Sequence, residues 1–224
     1  YAVKSSGFEA EGFSDGAAIY NKKTGERIHG VAIEYADLHS ILDAFAHYFH
    51  NGQITYEAFV DGVAYGGREY VEHPEAFGVP ERNVAYVQST RKPVDDIIAF
   101  LSEHEEELDS LDIVAADTAL YQKIEEQIPL VTKSVYTTSA VSYRLEISHK
   151  NSGKATGLAY VLKLLDITPE ETVAFGDGDN DAEMLEFAGL GVAMENATEN
   201  CKAAADIVCD CCKNDGVARF LYGF

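Results

Sequence analysis

Gly157, Leu158, Val161, Leu162 and Leu165 recur at helical spacing, and the stripe stops at residues 166–169, which predicts an amphipathic helix with a defined end. A short apolar run at 172–175 follows, then a Gly/Asp-rich turn at 176–181 and a second helical pattern through Met184, Leu185 and Ala188 that stops at Gly189. Another apolar run at 191–194, a helix around 200–205, a strand at 207–208 and a helix at 216–221 complete the series. Strands that are continuously apolar and alternate with helices predict an α/β fold whose doubly wound parallel sheet is covered on both faces.

The middle of the chain has another rhythm. Residues 17–20 read as a strand, 21–26 (NKKTGE) as a turn, and 31–35 as the strand pairing back, a hairpin pattern. Leu38, Ile41, Leu42, Phe45 and Phe49 mark a helix over 37–49, with Asp37 placed to accept from its free amides. Residues 53–65 alternate and are rich in aromatic and β-branched side chains, as in a half-exposed antiparallel pair. Helices are predicted at 94–108 and 118–127, a strand at 112–116, and alternating strands over 132–147. Within this region the acidic run 103–109 reads as a solvated helix face. Residues 21–148 therefore form an expected α+β insertion in a parallel α/β domain made of residues 1–20 and 149–224.

Charge narrows the partners. The 224 residues contain 17 Lys and Arg against 38 Asp and Glu, a formal net charge of −21, which repels nucleic-acid phosphates and anionic lipid surfaces. The 46% hydrophobic content is ample for a buried core. No apolar run reaches the ~20 residues of a spanning helix, and residues 1–11 lack the order of a signal peptide, so a cytoplasmic location is expected. Cys201, Cys209, Cys211 and Cys212 match neither paired zinc knuckles nor a spread disulfide framework and read as reduced thiols.

Candidate chemistry gathers in two places. The segment Phe175-Gly-Asp-Gly-Asp-Asn-Asp181 lies past a buried strand and before a helix, where ligands collect in open α/β sheets. Three carboxylates in five residues repel one another unless a hard cation such as magnesium sits between them; composition alone leaves a solvated acidic turn equally open. An EF-hand is excluded, because Ala182 and Ala188 stand where Gly and Glu are required. The second place is Ser152-Gly-Lys154, before a helix. A Lys at a helix start opposes the macrodipole, and a shared anion would resolve that conflict; a solvated surface Lys is the other reading. A P-loop is excluded by Ser148 and Ala155. Tyr56, Phe59, Tyr65 and Arg68 are candidate ligand contacts of the insertion, although aromatics in such strands usually belong to the core.

Taken together, Gly153-Lys-Ala-Thr-Gly-Leu158, Val173-Ala-Phe-Gly-Asp-Gly-Asp-Asn-Asp181, Met184-Leu-x-x-Ala-Gly189, Gly191-Val-Ala-Met-x-Asn-Ala197, Lys202-x-x-Ala-Asp206 and Asp215-Gly-Val217 resemble the haloacid-dehalogenase-like hydrolases, specifically the Cof-type sugar-phosphate phosphatases. Ser14-Asp-Gly-Ala17 resembles the stretch leading into that family's cap. The resemblance implies a Rossmann-like core with an inserted α+β cap closing over the site. It implies Mg²⁺ as cofactor, small phosphorylated metabolites as substrates, and an aspartyl-phosphate mechanism with a second Asp as acid and base. Carried over, Asp177 is a metal ligand and Asp181 a second ligand or an acceptor for metal-bound water. Lys154 is catalytic and phosphate-binding, Asn180 positions phosphate or Lys154, and Asp179 has no role. A phosphosugar mutase would use the same chemistry.

The family's Asp-x-Asp-Gly-Thr and Thr/Ser-Gly-Arg motifs are absent from this sequence: Asp15-Gly16 has Phe13 two residues earlier and Ala17 after it. The expectation is that the nucleophile lies upstream, and that these 224 residues alone lack phosphatase activity. A non-catalytic binding or regulatory protein is the alternative.

Overall fold

A computed structural model describes residues 2–5, 8–13 and 16–223; Ser14 and Asp15 of the stretch leading into the expected cap lie outside the described residues. The chain divides into two compact units, residues 1–29 with 152–224, and residues 30–151.

The first unit opens with β1 (Ala2–Ser5), β2 (Phe8–Phe13), β3 (Ala18–Asn21) and β4 (Arg27–Gly30), joined in that order as one sheet. The expected hairpin is present with an earlier return. Asn21 accepts from Gly25 and donates to Glu26 through the backbone, so the chain reverses by residue 26 and pairs back at 27–30; residues 31–34 are not strand.

The second unit carries α1 (Tyr35–His50), β5 (Ile54–Val60), β6 (Val63–Gly67), α2 (Arg68–Glu72), α3 (Glu81–Thr90), β7 (Arg91–Val94), α4 (Ile97–Glu103), β8 (Leu108–Ala115), α5 (Thr118–Val131), β9 (Val135–Val141) and β10 (Arg144–His149). Its six strands run in the order β7-β6-β5-β8-β10-β9. On α1, Leu38, Ile41, Leu42 and Phe45 are buried, and they join Tyr56, Leu101, Ile113 and Ile124 in the main core. Asp37 does not cap this helix: its carboxylate accepts from the Thr132 hydroxyl instead.

Three expectations need correction here. The strand β5 is buried along both faces except at Phe59, because its alternate side chains Ile54, Tyr56, Ala58 and Val60 enter the main core while Glu57 is covered from the other side by Tyr70 and Arg91. The expected helix over 94–108 is shortened to α4, with Asp96 accepting from the amides of Ile98 and Ala99. Consequently the acidic run is no helix face: it passes through a turn into β8, where Asp109 is fully buried and accepts from the Gly62 amide. Tyr56 stacks on Phe49 in the core and the half-buried Tyr65 packs at a tilt on Phe100 against it, Phe59 lies under the Arg91 guanidinium, and Arg68 pairs with Asp95 at the surface.

A row of ionisable groups crosses this sheet. Glu57 is in register with Asp112, and Asp112 with Glu146. Glu57 accepts from Arg91 through both oxygens at 2.9 and 3.0 Å and from the Tyr70 hydroxyl at 2.6 Å. Arg144 reaches Asp112, Glu146 and Glu57. Burial pushes the Asp112 carboxyl well above the usual range; Arg144 opposes that, and the neighbouring Glu57 and Glu146 add to it. At one end of the sheet Ile33 N donates to Leu108 O, and Glu34 lies 3.6 Å from His149, so the chain enters and leaves this unit side by side.

The first unit then resumes with α6 (Lys154–Leu165), β11 (Val173–Gly176), α7 (Ala182–Phe187), β12 (Leu190–Met194), α8 (Glu199–Ala203), β13 (Ile207–Cys209) and α9 (Gly216–Tyr222). The strands β11, β12 and β13 pair in parallel, as the α/β alternation predicts. Ala174 packs with Leu158, Leu162 and Leu185, while Phe175, pointing the opposite way, meets Phe220 of α9 edge-on. The burial expected of every strand fails at β13, where Ile207 and Val208 are exposed. Among the described residues no helix is long and apolar enough to cross a membrane.

Candidate functional site

The acidic loop follows β11 directly. Its last carboxylate folds back over the turn that carries it: Asp181 Oδ2 accepts from the amides of Asp177 at 2.8 Å and Gly178 at 2.9 Å. That return needs Gly176, where a Cβ would stand 2.4 Å from the Cβ of Asp181, a distance no side chain tolerates. The other oxygen, Oδ1, accepts from Lys154 Nζ at 2.5 Å. Lys154 is the first residue of α6, reached through Gly153 at φ +140°, backbone that favours glycine. The sequence left Lys154 between a shared anion and a solvated surface position; the structure sets its ammonium against a carboxylate of the chain itself.

Asp181 is 6% exposed. Burial works to raise its pKa, but the Lys154 ammonium and the Gly178 and Asp177 amides together outweigh it and hold the carboxyl below its ordinary value. A carboxyl whose folded pKa is depressed contributes stability that is fully present above its unfolded pKa of about 3.9 and is lost as pH falls through the folded value. We therefore expect the Asp181→Asn variant to have a flatter decline in unfolding free energy below about pH 4 than the wild type, measured by urea denaturation across pH. Identical acid slopes would refute this account of the contact.

Asp177 and Asp179 are exposed and Asn180 half-buried. Asp177 is the point where two loops meet. The loop after β12, which the sequence left without a role, supplies Asn196 Nδ2 to Asp177 Oδ2 at 3.3 Å, Thr198 N to Asp177 O at 3.0 Å, and Thr198 Oγ1 to Asp179 Oδ1 at 2.6 Å. Thr198 also caps α8 by accepting from Cys201 N. Beneath the loop, burial first and then the charges of Asp181, Asp177 and Asp179 push the Cys201 thiol up to about 11, so it stays protonated at neutral pH. Lys154 and Asp181 are thus in direct contact, with Asp177 joined to them through its own amide. Asn180 rides on the 3-10 turn 179–181, folded over Gly178.

The donor set suits a hard cation in part. Asp177 and Asp181 offer oxygen ligands, and Asp177 Oδ1 has no hydrogen-bond partner among the described residues. No group of three or more His, Cys, Asp or Glu residues able to hold a metal ion occurs among the described residues. Two carboxylates, Asp177 and Asp181, are the number by which magnesium is commonly held, with water or phosphate in its remaining positions.

Comparison with known proteins places these observations. A family model described as haloacid dehalogenase-like hydrolase matches residues 6–221. Phosphatase YwpJ of Bacillus subtilis is 29% identical over 231 residues, covering 93% of this chain and 76% of that protein. The phosphoglycolate phosphatase of Methanopyrus kandleri is 50% identical over 80 residues, 36% of this chain and 34% of its own length. The chain thus spans about a third of the archaeal phosphoglycolate phosphatases it matches. Among solved structures, SMU.1108c of Streptococcus mutans superposes with a TM-score of 0.74 at 23% identity, covering 96% of this chain and 76% of that one.

Proposed function

Because the chain belongs to the haloacid dehalogenase-like hydrolase family, we propose that it is a magnesium-dependent phosphatase of small phosphorylated metabolites such as sugar phosphates. The observation that supports this reading is the contact between Lys154 and Asp181 at the start of α6 and beside the loop after β11, with Asp177 bonded into the same turn. Asp177 and Asp181 are the residues that would hold Mg²⁺; when bound, the cation would offset phosphate charge and stabilise the charge that develops during transfer.

The chain's own residues do the rest. Lys154 offers a fixed ammonium to a phosphate oxygen while remaining tied to Asp181, and the tie keeps it from swinging into solvent. Asn180 presents an amide to the same anion or to Lys154. The reaction type proposed is transfer through an aspartyl phosphate, and the attacking carboxylate is assigned to no residue among these 224, since they contain no Asp-x-Asp-Gly-Thr run. The alternative reading is a non-catalytic binder of phosphorylated ligands.

A release assay separates the two. The full-length protein, incubated with a panel of sugar phosphates and other small phosphate monoesters, is expected to liberate inorganic phosphate with Mg²⁺ and to stop when the metal is chelated. Phosphate-ester binding without release, in Mg²⁺, would establish the binder instead.

A further inference from the structure

One side chain in the loop after β12 faces two ways. Asn196 Nδ2 donates to Asp177 Oδ2, and Asn196 Oδ1 accepts from the Cys212 amide, each at 3.3 Å. Those partners fix the orientation of the amide: turned over, its oxygen would meet a carboxylate and its NH₂ an N–H, two repulsive contacts. Two residues on, Thr198 N ties the Asp177 carbonyl to the same loop, and Thr198 Oγ1 holds Asp179 Oδ1, so the neighbouring carboxylate is engaged elsewhere. What remains is a carboxylate with one oxygen anchored and the other, Oδ1, without a hydrogen-bond partner among the described residues.

We infer that Asn196 is a positioning residue for Asp177, anchoring Oδ2 so that Oδ1 is presented in one orientation to a divalent cation. The inference rests on the reading of Asp177 as a magnesium ligand and deepens it. An unanchored, exposed Asp samples several rotamers, and ordering it at the moment of binding weakens affinity. A neutral amide removes that freedom without cancelling the carboxylate's charge, as the partners that orient metal ligands generally do. The oxygen end of Asn196 is held by a backbone amide on the chain beyond β13, so the anchor is itself fixed at its far side.

The test titrates Mg²⁺ into the full-length wild type and into Asn196→Ala, Asn196→Ser and Asp177→Asn, reading heat by calorimetry and the unfolding temperature with and without metal. Asn196 is exposed, so its variants should fold, with metal-free unfolding temperatures close to the wild type. Both are expected to weaken Mg²⁺ binding about tenfold, and Asp177→Asn to abolish it. If Asp177→Asn binds as tightly as the wild type, or the wild type binds no Mg²⁺, the reading of Asp177 fails and the inference with it. If Asp177→Asn loses the metal while both Asn196 variants bind within twofold of the wild type, Asn196 has no positioning role and the reading of Asp177 stands.

Discussion

Replacing Lys154 with Met in the full-length protein is expected to lower kcat/KM for a sugar phosphate about a thousandfold, equivalent to ~4 kcal/mol of transition-state stabilisation. Two effects combine. The substitution removes the ammonium that would meet the transferring phosphoryl group, and it frees Asp181, a buried residue whose carboxylate is bonded at 2.5 Å to that ammonium. A buried anion stripped of its cation turns toward water or takes up a proton, and either change loosens the turn that carries Asp177. Lys154→Arg should not rescue, because a planar guanidinium cannot replace a compact ammonium beside Asp181. The check is steady-state phosphate release at saturating Mg²⁺, with circular dichroism to establish folding. Turnover by the Met variant within tenfold of the wild type would remove Lys154 from the chemistry.

The second large effect concerns stability and lies in the other unit. Glu57→Ala should destabilise residues 30–151 by about 3–5 kcal/mol. The side chain is fully buried and accepts from Arg91 twice and from Tyr70 once, so its removal leaves a guanidinium that is 3% exposed without its anion. Burial and the Glu57 charge both hold the Tyr70 hydroxyl protonated, and it too would lose its acceptor. For a unit of this size such a loss lowers the unfolding temperature by roughly 10–20 °C. The double variant Glu57→Met, Arg91→Met should recover much of the loss, since an apolar pair of similar volume can replace a buried ion pair with little penalty. Equal destabilisation in the single and double variants, measured by urea denaturation, would show that the ion pair itself is what stabilises the sheet.

How far the sequence carried this depends on the kind of signal each element has. From α6 to α9 every strand is a short apolar run between Gly- and Asp-rich turns, so the order of elements is legible to within a residue or two. By contrast, α2 and α3 bury only Tyr70, Val71 and Val87, too few positions to establish a period, and this stretch gave no prediction. Glu57 misleads in the opposite way: a charged residue in an alternating strand reads as solvent-facing, and its burial depends on Arg91, 34 positions away. In the site, Asp177, Asp181 and Lys154 are conspicuous by residue type and place. The direct bond between Lys154 and Asp181 spans 27 positions and has no local signature. Asn196 and Thr198 look like the residues of any turn; their role depends on β11 and β12 being neighbours in the sheet, which places the loops after them together.

Glu34 and His149 meet through their side chains at 3.6 Å, which makes residues 30–151 a detour whose two ends run side by side. To the remainder of the chain such a detour counts as a short loop, and lengthening it adds only about 0.6 kcal/mol of closure entropy for each doubling. Residues 30–151 can therefore be trimmed, enlarged or exchanged for a foreign module with similarly spaced ends while the parallel strands keep their register. By the same geometry, joining residue 151 back to residue 30 through a few glycines would give a circularly permuted version of the insert, with new termini free to be opened at the exposed 51–53 turn.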